Sequence, residues 1–284
     1  MSVKIMIDSA SDMTKQEAEA SDLAFLPLKT AFGDTVYYDG VDLTHEQFYE
    51  LLASSKQLPV TSQITPYQYA KAYEDAFAKN EEILVIAMSS KLSGTYQSAV
   101  MAAKETGKKI AIVDSKNATV GEQILIKYAI RLRDEGMHAE EIAAKLESAK
   151  KKIVLLATVD TLEYLVKGGR LSRAAGAAGT MLKIKPILGL ENGVIVTLGK
   201  AHGTKQSCSH LNQLIAEKGG IDYQMPIQLA YSGNDDSQLQ AYIDSDQTLW
   251  RDRIKEIPIC TVGSTIGTHA GPGAIVMAFF SNQK

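Results

Sequence analysis

The first stretch able to do chemistry is a polar loop that holds Ser93, Gly94 and Thr95. It follows the apolar run from Ile83 to Met88 and precedes residues with helical spacing. A buried strand that ends at a helix N-terminus presents unpaired backbone N–H groups and the positive end of the helix dipole. The pattern therefore predicts an anion-binding loop, although Ser93 or Thr95 acting only as the helix N-cap explains the same residues.

A second polar segment runs from Pro59 to Pro66. Thr65 followed by Pro66 has the pattern of an N-cap followed by proline at the first helical position. Capping of the helix explains Thr65, but it does not explain why Thr61 and Ser62 are polar. Thr61 and Ser62 are therefore candidates for the same anion site as Ser93.

The third candidate is His269, in the glycine-rich segment 263–274, which we predict to be a loop. A role in the core or in a turn explains a single histidine as well as a ligand contact does, but the glycines favour a site. Ser93 and His269 are also the nucleophile and base that a serine-dependent hydrolase or acyl-transfer enzyme would need. No GxSxG elbow or orienting carboxylate accompanies them, so hydrogen-bonded capture of a carboxylate or phosphate is the simpler interpretation.

Asp8 and Asp12 follow the first strand, with Ser9 and Ser11 between or beside them. Two carboxylates and two hydroxyls suit either a cation or a loop held by side-chain caps, and capping is the commoner use. The chain has no Walker A, GxGxxG or HExxH sequence. We expect no metal and no cofactor.

Composition excludes several classes of function. The 284 residues include 45% apolar residues and carry a net charge of -3, which gives no basis for nucleic-acid binding. Cys208 and Cys260 lie far apart, and no signal-peptide pattern begins the chain. No apolar run approaches the ~20 residues of a transmembrane helix. We expect a globular cytoplasmic protein with no transmembrane segment, and a monomer.

The elements that must position these residues alternate between strand and helix as far as the strand Ile153 to Ala157. This alternation predicts a parallel sheet with helices on both faces. Beyond Val159, Asn192-Gly193 between two apolar runs predicts an antiparallel hairpin. We therefore expect an α/β protein with an N-terminal parallel domain, residues 1–158, and a C-terminal mixed domain, residues 159–284.

Six segments together resemble the DegV family of bacterial fatty-acid-binding proteins, in order and spacing across essentially the whole chain. They are Asp8-Ser-Ala-Ser-Asp12, Thr61-Ser-Gln-Ile-Thr-Pro66, Ser89-Ser-Lys-Leu-Ser-Gly-Thr-Tyr-Gln-Ser98, Lys167-Gly-Gly-Arg-Leu-Ser172, Ile184-Lys-Pro-Ile-Leu188 and Ile266-Gly-Thr-His-Ala-Gly-Pro-Gly-Ala274. The resemblance implies two α/β domains with a long-chain fatty acid between them. It also implies that a separate ATP-dependent fatty acid kinase phosphorylates the carboxylate while this chain, itself not an enzyme, holds it.

The same resemblance implies roles for single residues. Thr61 and Ser93 would hold the carboxylate, with secondary contacts from Ser62, Gly94, Thr95 and His269. The small residues from Ala174 to Gly179 are a candidate lining for the lipid tunnel.

The positively charged segment from Lys167 to Arg173 is the implied kinase-docking face, through Arg170 and Arg173. A solvated helix end explains these charges equally well. His202 is the third docking candidate, and it stands where the family commonly has a basic residue, often arginine.

Overall fold

The computed structural model describes residues 2–176 and 184–283, with the backbone alone at 175 and 176. Within these residues the chain forms an α/β fold with three sheets. The helices of the described chain are α1 (Lys15–Ala20), α2 (His45–Ser54), α3 (Pro66–Ala78), α4 (Thr95–Thr106), α5 (Thr119–Asp134), α6 (Ala139–Ala149), α7 (Glu163–Lys167), α8 (Arg173–Gly176), α9 (Gly203–Glu217), α10 (Ser237–Ser245) and α11 (Ser264–Ala270).

The first sheet is parallel and contains β1 (Val3–Asp8), β2 (Ala24–Leu26), β6 (Glu82–Ala87) and β7 (Ala111–Asp114), in the order β2-β1-β6-β7. β6 is buried on both faces, as its unbroken apolar run predicts. Side chains of α3 and α4 cover one face of this sheet and those of α1, α5 and α6 cover the other. The predicted parallel sheet with helices on both faces is confirmed for these strands.

The second sheet is mixed and has the order β10-β9-β8-β13-β11-β12. Its strands are β8 (Ile153–Thr158), β9 (Ile184–Glu191), β10 (Val194–His202), β11 (Gln228–Tyr231), β12 (Ile259–Thr261) and β13 (Ile275–Phe280). Only the pair β11 and β12 is parallel. The predicted hairpin between β9 and β10 is confirmed, and both of its turn residues, Asn192 and Gly193, have positive φ as a type I′ turn requires.

A small third sheet contains β3 (Lys29–Phe32), β4 (Thr35–Tyr38) and β5 (Val60–Ser62), in the order β4-β3-β5. The apolar stretch from Leu23 to Phe32 is divided between two sheets, because β2 belongs to the first sheet and β3 to the third. Thr65 caps α3 ahead of Pro66, because its Oγ1 accepts from the Gln68 N–H while its own N–H donates to Gln68 Oε1, so capping of this helix is confirmed.

The prediction that strand 153–157 completes the parallel sheet is wrong. This strand is β8, and it pairs antiparallel with β13 and β9 in the second sheet. The pattern of an apolar run shows that a strand is buried on both faces, but it does not show which strands pair with it. The partners of this strand lie far along the chain, so the sequence pattern alone fails to assign its sheet. We therefore propose a domain division before Ile153 in place of the division after residue 158.

The prediction of a loop over residues 263–274 is also wrong, because Ser264–Ala270 forms α11. Carboxylates from remote parts of the chain bind the N–H groups at its start. The Gly263 N–H donates to Asp12 Oδ1 at 2.8 Å, and the Ser264 and Thr265 N–H groups donate to Asp39 at 2.9 and 3.2 Å. These tertiary caps satisfy the unpaired donors of a helix whose local sequence contains no cap.

Candidate functional site

A cavity of about 870 Å³, including its open mouth, lies between the end of β6, the second sheet and α11. Most of the described lining is apolar, and includes Leu28, Met88, Leu155, Ala157, Leu188 and Val276. Six polar residues of the lining lie on segments that contact one another, and we call them the polar end: Thr61, Ser62, Gln63, Ser93, Arg170 and His269. Thr119 and Thr265 also line the cavity.

Thr61 and His269 meet at the polar end, where Thr61 Oγ1 lies 2.9 Å from His269 Nε2. Thr61 is paired with Thr30 across β5 and β3, so the two side chains share a face of the small sheet. The Thr30 hydroxyl lies 2.9 Å from the Ser264 hydroxyl at the start of α11. The small sheet therefore presents this face to α11, which carries His269 at its other end.

Ser93 lies at the N-terminus of α4, which confirms the predicted helix start. Its Oγ accepts a hydrogen bond from the Thr95 N–H at 3.2 Å and lies 2.9 Å from Thr95 Oγ1. Ser93 lines the cavity, whereas Gly94 and Thr95 lie behind it. A Cβ at Gly94 would overlap the Gln63 side chain, so the glycine allows the loops of Thr61 and Ser93 to pack together.

His269 is a neutral group at physiological pH. Burial, followed by the positive charge of Arg170, lowers the pKa of its imidazole to about 4. Its Nδ1 has no hydrogen-bond partner among the described residues. Gly168 packs directly against that nitrogen, since a Cβ there would overlap it. With Nε2 bonded to Thr61, the ring is held in place at the polar end.

Arg170 lies in the cavity wall, beside His269, and its importance there was not evident from the sequence. Its Nε donates to the Leu92 carbonyl at 3.2 Å and its Nη1 donates to the Gly168 carbonyl at 2.7 Å. Burial lowers the pKa of the guanidinium, and no carboxylate in the described chain forms an ion pair with it. The resemblance to the DegV family implied a docking role on the surface for this residue instead.

The remaining candidates lie away from the polar end. Arg173 is exposed in α8, and His202 is exposed at the junction of β10 and α9, where its N–H donates to Gln206 Oε1. Neither residue lines the cavity. The proposed tunnel lining from Ala174 to Gly179 lies largely outside the described residues.

Asp8 and Asp12 act as caps. Asp8 accepts from the N–H groups of Ala10 and Met88, and Asp12 accepts from Gly263. Burial raises the pKa of Asp8 to about 7 and that of Asp12 to about 8, and burial likewise raises the pKa of Glu122 well above its usual range. No group of side chains in residues 2–176 and 184–283 has the arrangement of a metal site.

The geometry gives little support to a serine hydrolase. His269 Nε2 is bonded to Thr61, while the Ser93 hydroxyl interacts with Thr95. No carboxylate of the described chain contacts His269 Nδ1 to orient the ring. A nucleophile needs a base within hydrogen-bond reach and a group that orients that base.

The cavity opens at its polar end into a surface groove. Thr61, Arg170 and His269 line both spaces. The exposed Lys56 and Lys167 also line the groove. Glu163 pairs with Lys167, so Lys56 and Arg170 supply the positive charge of the mouth, which suits the entry of an anionic head group.

An apolar cavity with one polar, positively charged end defines a site for an amphipathic anion. The chain matches the family model described as "Uncharacterised protein, DegV family COG1307" over residues 2–282. It is 32% identical to a DegV domain-containing protein of Caldanaerobacter subterraneus over 281 residues, 98% of each chain. It is 33% identical to one of Clostridium perfringens over 288 residues, 99% of this chain and 98% of that one. The chain belongs to the DegV family.

Solved structures share the whole fold. A DegV family protein from Thermus thermophilus, described as binding fatty acid, has a TM-score of 0.87 at 27% identity and covers 99% of this chain and 100% of its own. DegV from Bacillus subtilis, described as a fatty acid binding protein, has a TM-score of 0.82 at 28% identity with the same coverage. These structural relatives bind fatty acids.

Among the residues that the structure describes, no helix combines the length and apolar character needed to cross a membrane.

Proposed function

We propose that this chain binds a long-chain fatty acid, with the carboxylate at the polar end and the tail in the apolar cavity between the two halves of the chain. The observation that carries this proposal is the cavity itself, whose described polar lining gathers around Thr61, Ser93 and His269. The relatives from T. thermophilus and B. subtilis, which bind fatty acids, support the choice of ligand.

The carboxylate head group would be held by hydrogen bonds from uncharged donors, close to the one positive charge of Arg170. The Ser93 hydroxyl is able to donate a hydrogen bond to a carboxylate, and so is the Thr61 hydroxyl when the neutral His269 donates its Nε2–H to Thr61 Oγ1. Arg170 supplies the nearby positive charge that has no carboxylate partner in the described chain. A bound carboxylate would compensate that charge, which favours an anionic ligand over a neutral one.

The tail would supply most of the affinity. Burying about 15 methylene groups at ~0.8 kcal/mol each gives a gross gain of ~12 kcal/mol, before the cost of ordering the chain. The polar end then needs only to orient the ligand. This division matches a cavity whose lining is mainly apolar.

We propose further that a separate ATP-dependent fatty acid kinase phosphorylates the bound carboxylate. The mouth leaves the polar end accessible from the surface, and the chain lacks a phosphate-binding glycine motif of its own. Arg170 donates to two backbone carbonyls and to no carboxylate of the described chain, so its guanidinium does not form a bidentate carboxylate clamp there. A carboxylate held mainly by neutral donors stays more nucleophilic than a clamped one.

Titration of delipidated protein with a long-chain fatty acid tests the binding proposal. We expect Ser93→Ala to weaken affinity by about 1–3 kcal/mol, the cost of a missing donor to a buried charged acceptor. Ser207→Ala is the control, because Ser207 is a buried serine of α9 outside the cavity lining. Equal affinity of wild type and Ser93→Ala would remove Ser93 from the head-group site, and labelling of Ser93 by a fluorophosphonate with ester turnover would favour a hydrolase.

Reconstitution with a purified fatty acid kinase and ATP tests the partner. If the exposed Arg173 docks the kinase, Arg173→Glu abolishes acyl-phosphate formation and leaves the fatty acid content unchanged. Loss of both would indicate a defect in the cavity or in folding. Unimpaired phosphorylation would exclude Arg173 and direct attention to His202, which is equally exposed.

A further inference from the structure

The second sheet has a gap between β8 and β9. The two strands pair through three residue pairs, the last of which joins Leu156 to Gly189. Both strands continue past this point, β8 back to Ile153 and β9 on to Glu191. Their backbones therefore run on without pairing to each other, which is unusual for neighbouring strands inside a sheet.

A wide surface groove reaches this gap from outside. Leu155, Gly189 and Leu190 line both the groove and the fatty-acid cavity, so they form the wall between the two spaces. Leu155 is buried, whereas Leu190 is half-buried. None of the polar-end residues lines this groove, so it meets the cavity at a different place from the mouth beside Arg170.

Pairing between β8 and β9 does not hold this wall together. Leu155 and Leu190 lie beyond the last β8–β9 pair, and each is paired only with its other neighbour, Leu155 with Ala278 of β13 and Leu190 with Ile195 of β10. Gly189 adds no side chain, and its position is covered from the other face of the sheet by Leu198. The side chains of Leu155 and Leu190 therefore form most of the barrier between the cavity and the groove.

We propose that this wall sets the limit for the acyl tail: Leu155 and Leu190 stop chains that fill the cavity, and the gap lets the methyl end of a longer chain pass between β8 and β9 into the groove. This inference rests on the proposed function, since it needs a fatty acid whose carboxylate is fixed at the polar end. It makes Leu190 a determinant of chain-length specificity.

The test uses two opposite changes at Leu190. Leu190→Ala widens the gap and Leu190→Trp fills it, and delipidated variants are offered an equal mixture of saturated fatty acids of increasing length. We expect the bound acids, measured by mass spectrometry, to shift to longer chains for Leu190→Ala and to shorter chains for Leu190→Trp. Each methylene group gained or excluded changes relative occupancy by about fourfold.

Val194→Ala and Val194→Trp are the matched controls, because Val194 lies in the same hairpin, is 45% exposed and lines neither space. Unchanged chain lengths in both Leu190 variants, with fatty acid still bound, would overturn the inference and leave the proposed function intact. The same shift in the Val194 variants would overturn it too. Should Leu190→Trp fail to fold, as its unfolding temperature would show, Leu190→Ala alone decides. Wild-type protein that binds no fatty acid would instead refute the proposed function, and this inference with it.

Discussion

Arg170 lies beside His269 in the cavity wall, although its sequence context suggested an exposed docking turn. Its guanidinium is half-buried, donates to two backbone carbonyls and has no carboxylate partner in the described chain. A partly desolvated cation without a counter-ion is costly unless a ligand compensates it. The residue that we assigned to partner docking is therefore better placed to attract the fatty acid head group.

This placement predicts different effects for two nearby arginines. Arg170→Gln removes the charge beside His269 and should weaken fatty acid binding by about 1–3 kcal/mol, since hydrogen bonds and contacts to charged groups contribute at that level. Arg173→Gln, at an exposed position, should leave the affinity unchanged. Calorimetric titration with a fatty acid distinguishes them. Equal affinities for both variants would mean that Arg170 plays no part in holding the head group.

His269 should make stability depend on acid pH. Its folded-state pKa of about 4 lies below the ordinary 6.5, so the unfolded chain takes up a proton first as the pH falls. The free energy of unfolding therefore decreases between pH 6.5 and 4. His269→Gln should remove part of this decrease, as measured by denaturant unfolding of delipidated protein, while His202→Gln at an exposed position should not. Parallel pH profiles of His269→Gln and wild type would contradict the assignment.

At the scale of elements, α11 connects the polar end to a set of buried carboxylates. His269 stands near its C-terminal end, and Asp12 and Asp39 bind N–H groups at its start. The sequence predicted the site residue but not the helix, because the caps lie more than 200 positions away. The sequence pattern correctly predicted the start of α3, whose cap Thr65 is local. It failed to predict α11, whose caps come from distant parts of the chain.

Because Asp12 is buried, we predict that the free energy of unfolding decreases as the pH rises. Its folded-state pKa is raised by burial to about 8 from 3.8, so the folded chain holds a proton that the unfolded chain has released. The stabilisation present below pH 3.8 is lost as the pH rises to 8. Asp12→Asn keeps the oxygen that accepts from Gly263 and should show a smaller loss across this window.

Denaturant unfolding at a series of pH values measures this difference. Asp8 and Glu122 have raised pKa values as well, so part of the slope should persist in Asp12→Asn. Asp75→Asn, at an exposed position on α3, is the control. An Asp12→Asn profile that coincides with wild type would show that Asp12 is already ionised in the folded protein at low pH.

At the scale of the whole molecule, the sequence predicted the class of fold, and its resemblance to the DegV family implied that Thr61, Ser93 and His269 belong to one site. Hydrophobic periodicity identified β6 and the β9–β10 hairpin because their patterns are local. It failed to assign β8 to a sheet, since strand partners are chosen by packing across the whole chain. For the same reason it did not reveal the cavity lining, which comes from both halves of the molecule.

The most direct test of the proposed function is mass spectrometry of an organic extract of the protein purified from a lipid-replete bacterium. We predict about one long-chain fatty acid per chain, because the apolar cavity buries the tail and the polar end holds the carboxylate. Protein that contains no fatty acid, and binds none when it is added, would contradict the proposal.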